Sequence, residues 1–158
     1  MASNSAATPI DHRVLFADLV RCETRLYNAL NDRLRDRHGI VTSQYEFLHH
    51  LRKHPGVRVA DLAAEFAIGI GATSKGIDRL ERAGWVARQP NPADRRSSLL
   101  VLTEDGTKLI EAAERTFAER VAELVSSALD DTRIRAVADA MALLRAALER
   151  AEIGLPTG

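Results

Sequence analysis

The chain has 158 residues, 46% hydrophobic but only 4% aromatic, so alanine, leucine and valine must supply most of any core. No stretch approaches the ~20 apolar residues that a membrane-spanning helix needs. Lys/Arg and Asp/Glu number 22 each, and the single Cys22 excludes an internal disulfide framework, which together suggest a soluble protein of a reducing, cytoplasmic compartment.

Residues 1–10 are small and polar, lack the apolar centre of a signal peptide, and read as a disordered tail. From Asp11 to Arg37, Leu15, Leu19, Cys22, Leu26 and Leu30 recur every three or four residues, the stripe of an amphipathic helix. His38-Gly39 supplies its left-handed stop. Thr42 or Ser43 is placed to cap a second helix, with Glu46 three residues after Ser43 in capping-box spacing; this helix runs to about Lys53 and ends before Pro55-Gly56. A short third helix spans about Val59 to Phe66. After the connection Ala67 to Gly71, a fourth runs to about Ala83 and ends at Gly84.

The period then changes. Trp85 to Gln89 reads as a strand, Pro90-Asn91-Pro92-Ala93-Asp94 as a turn, and Ser97 to Leu102 as the returning strand. Thr103 caps a long helix carrying Leu109, Phe117, Val121, Leu124 and Val125. Asp130-Asp131 interrupts it, and the last helix carries Ile134, Val137, Met141, Leu144 and Leu148 in a near-heptad seam. The fold class expected is therefore mainly α with one β-hairpin: a winged helix-turn-helix with helical arms.

The neutral net charge hides an uneven distribution. Between Arg52 and Arg96 nine Lys/Arg stand against five Asp/Glu, while the rest of the chain is acidic by the same margin. A basic middle within acidic flanks is the footprint of a nucleic-acid-binding surface.

Three runs carry a family resemblance. Ala60-Asp61-Leu62-Ala63-Ala64-Glu65-Phe66 is similar to the "LAE" helix of the MarR family of bacterial regulators. Asp78-Arg79-Leu80-Glu81-Arg82-Ala83-Gly84-Trp85-Val86 resembles the family's "DRLExxGLV" recognition-helix end. Asn91-Pro92-Ala93-Asp94-Arg95-Arg96-Ser97, followed by Leu102-Thr103-Glu104-Asp105-Gly106, resembles its "DxRDxRS…LTxxG" wing and exit. The three follow one another without insertions.

The resemblance implies a dimerisation helix over 11–37, a winged helix-turn-helix over 38–103, dimerisation helices over 104–150 and a tail over 151–158. It implies a homodimer on double-stranded DNA, with two recognition helices about one turn, ~34 Å, apart on a pseudo-palindromic site. The implied function is a transcriptional regulator, in the sense of a repressor, released by a small molecule such as an aromatic acid, with no cofactor and no membrane partner. The fourth helix would enter the major groove, with Ile70, Thr73, Ile77 and Leu80 facing inward. Ala72, Ser74 and Lys75 are the candidate base contacts, since lysine reaches guanine acceptors and a small apolar group meets a thymine methyl. Arg79 would contact phosphate or pair within the helix near Glu81. Gly69, Gly71 and Gly76 would let this helix approach DNA closely or leave it mobile until DNA binds.

At the wing, Arg95 and above all Arg96 would enter the minor groove, with Asp94 orienting the Arg96 guanidinium by a charge-assisted bond. Ser43, Gln44 and Arg58 are further candidates for phosphate contacts. An effector pocket lined by the first, second and fifth helices would have His49 at its edge.

Cys22 is the one redox candidate, but it falls on the Leu15–Leu30 stripe, where a cysteine behaves as a small buried hydrophobe. In the peroxide-sensing branch the reactive cysteine lies about five residues earlier, where this chain has Ala17. His49, His50 and His54 have helical spacing but no obvious Cys or acidic partner for a metal. No phosphate loop or Ser/His/Asp context suggests an enzyme. The alternatives are a redox- or metal-responsive regulator of the same fold, or a winged-helix protein-interaction adaptor.

Overall fold

Helix α1 (His12–His38) begins where the Asp11 carboxylate accepts the backbone N–H of Arg13 at 2.9 Å, and ends at Gly39, whose left-handed φ of 67° turns its N–H onto the Arg35 carbonyl. The computed structural model describes residues 9–156, so the first eight residues of the expected tail and the last two of the chain lie outside the described residues. In chain order α1 is followed by α2 (Thr42–Lys53), α3 (Val59–Glu65), α4 (Ile70–Arg82), β1 (Val86–Pro90), β2 (Ser98–Leu102), α5 (Glu104–Ser126) and α6 (Asp131–Arg150).

The start of α2 differs from the expected capping by Thr42 or Ser43 with Glu46. Val41 holds the cap position; the Gln44 side-chain oxygen accepts its N–H at 3.0 Å, and Asn31 of α1 accepts the N–H of Thr42 at 2.7 Å. The orphan N–H groups of a helix start take whichever acceptor is nearest, and here one acceptor comes from another helix. By contrast Thr103 caps α5 as expected, accepting the N–H of Gly106 at 3.0 Å while donating its hydroxyl to the Gly84 carbonyl at 2.6 Å. The Asp130 that interrupts the helical pattern is the cap of α6, accepting the N–H of Arg133.

Strands β1 and β2 form one antiparallel hairpin, in register from Val86 opposite Leu102 to Pro90 opposite Ser98. A single bridge fastens it to the α2–α3 connection: Gly56 N–H donates to the Leu100 carbonyl and Leu100 N–H to the Val57 carbonyl, both at 2.8 Å. Behind this bridge lies an aliphatic core of Leu34, Ile40, Leu48, Leu51, Leu62, Ile77, Leu80, Leu100 and Ile110, all fully enclosed. Each such side chain contributes roughly 1.5–3 kcal/mol by leaving water. The few aromatics are grouped, with Tyr45 stacked on Phe117 at 4.1 Å and Phe47 tilted against Phe66 at 5.4 Å.

Two expected burials, of Ile70 and of Cys22, are not met within the chain. Thr73, Ile77 and Leu80 are buried, but Ile70 is 61% exposed, because it is the first residue of α4 and precedes the turn that meets the core. Cys22 is exposed rather than buried. On the stripe it lies on, Leu19 and Leu26 are half-buried and Leu30 is buried, while Leu15, together with Val14, Phe16 and Val20, stays exposed. Gly76 has a packing role: a Cβ there would lie 2.8 Å from the Phe47 ring, so the glycine makes room for that ring. Gly69 and Gly71, in contrast, face open space. Nor does the apolar seam of α6 find cover, for no residue of that helix is buried.

His38, at the end of α1, lies with Nε2 2.7 Å from the Thr116 hydroxyl on α5. Burial, and then the nearby Arg37 and Arg115 guanidinium groups, hold its pKa below the ordinary value near 6.5.

Two stability predictions follow from these packings. Gly71→Ala should stabilise the fold by up to about 1 kcal/mol through helix propensity. Gly76→Ala should forfeit that gain and lose about 1 kcal/mol or more to overpacking against Phe47; denaturant unfolding that finds the two substitutions alike contradicts the packing. For His38, the unfolded chain takes up the proton first as pH falls, so the stability present above about 6.5 is lost as pH drops toward the lower folded pKa. The unfolding midpoint of His38→Gln should therefore change less between pH 7.5 and pH 5 than that of the parent chain.

Candidate nucleic-acid interface

Helices α3 and α4 are joined by a turn in which Ala67 takes a left-handed φ of 50° and Ile68 donates its N–H to the Ala63 carbonyl at 3.0 Å. A non-glycine residue is uncommon there, and the packing of Phe66 and Ile68 against the core on either side holds it. Because Thr73, Ile77 and Leu80 anchor one face of α4, the opposite face is turned outward: Ala72, Lys75 and Arg79 are exposed and Ser74 is half-buried.

The buried Thr73 hydroxyl is satisfied within the helix, donating to the Gly69 carbonyl at 3.0 Å. Arg79 makes no ion pair among the described residues, and Glu81 is engaged instead by Arg88 of β1. The intrahelical alternative for Arg79 is thus not seen.

Ser43 and Gln44 at the start of α2 line one small cleft together with Gly76 and Arg79 of α4, so three of the sequence candidates from two helices share a surface. Ser43 is exposed, while the Gln44 side-chain oxygen is committed to the Val41 N–H. Arg58 stands at the start of α3 with its guanidinium forked on Asp61, at 2.9 and 2.6 Å. This bonding holds the Asp61 carboxyl down to about 2.

The wing tip is stitched by its own polar side chains. The Asn91 side chain accepts the Ala93 N–H at 3.0 Å and donates to the Ser97 hydroxyl at 2.8 Å, and the Ser97 N–H donates to the Asp94 carbonyl at 3.1 Å. Asp94 does not orient the Arg96 guanidinium as expected; its carboxylate accepts the Arg96 backbone N–H at 2.9 Å. An Asp two residues ahead of a free N–H closes a local turn, and that shorter reach wins over the flexible side chain. The consequence is a fixed backbone presenting two exposed guanidinium groups, Arg95 and Arg96, with no side-chain partner among the described residues.

The sequence reading missed Arg88. Its Nη2 lies 2.7 Å from Asp78 and its Nε 3.2 Å from Glu81, which joins the wing strand to α4. The signal was present as two carboxylates three residues apart on a helix followed by an arginine on the next strand, but facing could be known only once the hairpin was placed.

The pocket expected between α1, α2 and α5 is formed instead by α2, the end of α3 and α5: His49 lines a cavity of about 380 Å³ together with Tyr45, Glu46, His50, Lys53, His54, Glu65, Phe66 and Phe117, and no residue of α1 reaches it. Its Nδ1 is 2.8 Å from Glu114 of α5, which also receives Arg52, and Arg52 reaches Glu111 at 3.2 Å. Cys22 is not part of this wall. The rings of His50 and His54 lie against one another at 4.6 Å, and among the described residues no group of three or more His, Cys, Asp or Glu is arranged to hold a metal. A larger open groove of about 870 Å³ separates the end of α3 from the Met141, Leu144 and Leu148 side of α6. Among the described residues no helix is long and apolar enough to cross a membrane.

Comparison with known proteins agrees with this geometry. The MarR family model matches residues 41–98, which run from the cap of α2 to the start of β2. The multiple antibiotic resistance protein MarR of Salmonella typhimurium is 30% identical over 103 residues, covering 61% of this chain and 72% of that protein. The regulator PecS of Dickeya dadantii is 25% identical over 133 residues, covering 81% and 80%. Among solved structures, a MarR family regulator of Streptomyces coelicolor in complex with DNA superimposes with a TM-score of 0.82 over 97% of this chain and 98% of its own, at 23% identity. A mutant Escherichia coli MarR complexed with operator DNA gives 0.73 at 25% identity, covering 90% and 99%. The chain belongs to the MarR family of winged helix-turn-helix transcriptional regulators.

Proposed function

We propose that this chain is a cytoplasmic repressor, without enzymatic activity, that binds a pseudo-palindromic DNA operator as a homodimer and is released by a small molecule. The observation that carries the reading is a contrast among cations. In α4 and the wing, Arg82 bonds the Asp78 carbonyl and Arg88 is forked on two carboxylates, whereas Lys75, Arg79, Arg95 and Arg96 have no side-chain partner among the described residues. Unpaired guanidinium and ammonium groups on a rigid helix and a stitched turn are poised for phosphates and groove edges. Helix α4 enters the major groove with Ala72, Ser74 and Lys75 toward the bases, and Arg96 enters the minor groove. Ser43 and the Gln44 amide nitrogen flank this surface as phosphate contacts, and Arg58 joins them by exchanging Asp61 for a phosphate. That a solved MarR mutant of 25% identity is complexed with operator DNA supports the DNA-binding reading.

The homodimer rests on apolar surface the single chain leaves bare. The first half of α1 is apolar on several sides, with Val14, Leu15, Phe16 and Val20 exposed, and α6 exposes Val137, Met141, Leu143, Leu144 and Leu148. Apolar surface left bare on two helices marks an interaction face, and a two-fold partner would cover it. The effector site is the cavity walled by Tyr45, His49 and Phe117, whose volume of about 380 Å³ suits a small ligand. Three histidines and Lys53 on its wall offer partners for the carboxylate of an aromatic acid.

Selection against a random duplex library should enrich an inverted repeat, and its affinity should fall steeply with salt. Arg96→Ala should weaken that binding about tenfold or more while leaving the melting temperature unchanged; full retention of affinity contradicts the wing assignment. In sedimentation the parent chain should run as a dimer and Leu144→Glu as a folded monomer, whereas a monomeric parent rules out the two-fold reading.

A further inference from the structure

The wing is joined to α4 by one side-chain device. Arg88 sits at the middle of β1, opposite Leu100 in the hairpin register. Leu100 is fully enclosed and bridged to Val57, so the backbone at Arg88 is backed by the core. From there its guanidinium crosses to α4 and forks on Asp78 and Glu81, which lie one helical turn apart and so on one face. Its side chain is 26% exposed. Among the described residues no other side-chain hydrogen bond links β1 to α4, and beyond Pro90 the wing tip is carried by the hairpin alone.

We propose that Arg88 is a positioning residue that sets the angle between wing and recognition helix, so that Arg96 meets its groove in phase with Ser74 and Lys75. The inference rests on the DNA-binding reading above. It gives the two acids of α4 a purpose: unpaired, they would repel phosphate, whereas here both are engaged by one planar guanidinium whose rigid fork fixes direction as well as distance.

The account makes a prediction opposite in sign to simple electrostatics. Asp78→Asn with Glu81→Gln removes two negative charges beside the DNA surface and frees Arg88, so a mere charge effect, or a direct Arg88–phosphate contact, would tighten DNA binding. If the fork positions the wing, affinity instead falls by about tenfold, which is roughly 1.4 kcal/mol. Arg88→Gln should do the same. In both backgrounds the cost of Arg96→Ala should largely vanish, a non-additivity that general destabilisation would not produce. Hydrogen exchange without DNA supplies a separate readout: amides of the β1–β2 ladder near Gln89 and Leu99 should exchange faster in the double variant while those of α2 and α5 do not. Equal or tighter binding by the double variant, or unchanged wing protection, overturns the inference. Failure of the parent chain to select any duplex sinks the DNA-binding reading, and wing exchange then still decides whether Arg88 is the tether.

Discussion

The placement of the wing against the helical core hangs on one enclosed side chain, Leu100. It is the point at which a two-stranded hairpin, marginal by itself in water, becomes part of the helical core. Its side chain joins Leu62, Ile77 and Leu80 in that core, while its backbone exchanges two hydrogen bonds with Gly56 and Val57. With β2 fixed in this way β1 follows by register, and the wing projects from a rigid base. The same constraint explains Gly106 at the start of α5. A Cβ there would fall 2.0 Å from the Trp85 carbonyl oxygen, so only glycine lets α5 leave the wing so closely.

From that base the polar side chains divide into two groups with different tasks. Asn91, Asp94 and Ser97 bond to the local backbone and to each other, which fixes the shape of the wing tip at short range. Arg52 and His49 meet Glu114, and Arg33 meets Glu123, which tie α2 and α1 to α5. The cations and Glu114 of these pairs are half-buried, and the pairs fix how the helices are oriented on α5. The cations left over on α4 and the wing tip are those that an anionic partner would complete.

Much of this was legible in the chain. Helix limits came through wherever the signal was local, as at Asp11, Gly39 and Thr103, and the change from helical to strand period marked the wing. The readings that failed each needed information from elsewhere in the fold. The α2 cap depends on Asn31, eleven residues earlier on another helix. The role of Gly76 depends on where Phe47 points. The apolar stripe through Leu15 is legible as that of a dimerisation arm, but the exposure of Cys22 within the single chain is not, because periodicity reports that a face is apolar and not what covers it. Of the site, Arg95 and Arg96 could be found from the turn that carries them, while the Asp94 contact and the Arg88 fork required the hairpin in place.

The central claim is that two copies present paired recognition helices and wings to one duplex. Hydroxyl-radical footprinting on a selected duplex tests it most directly. A two-fold dimer should give two protected half-sites one helical turn, ~10.5 base pairs, or a multiple of it apart, each flanked by minor-groove protection that disappears with Arg96→Ala. A single protected segment without two-fold symmetry, or flanking protection that survives Arg96→Ala, would contradict it.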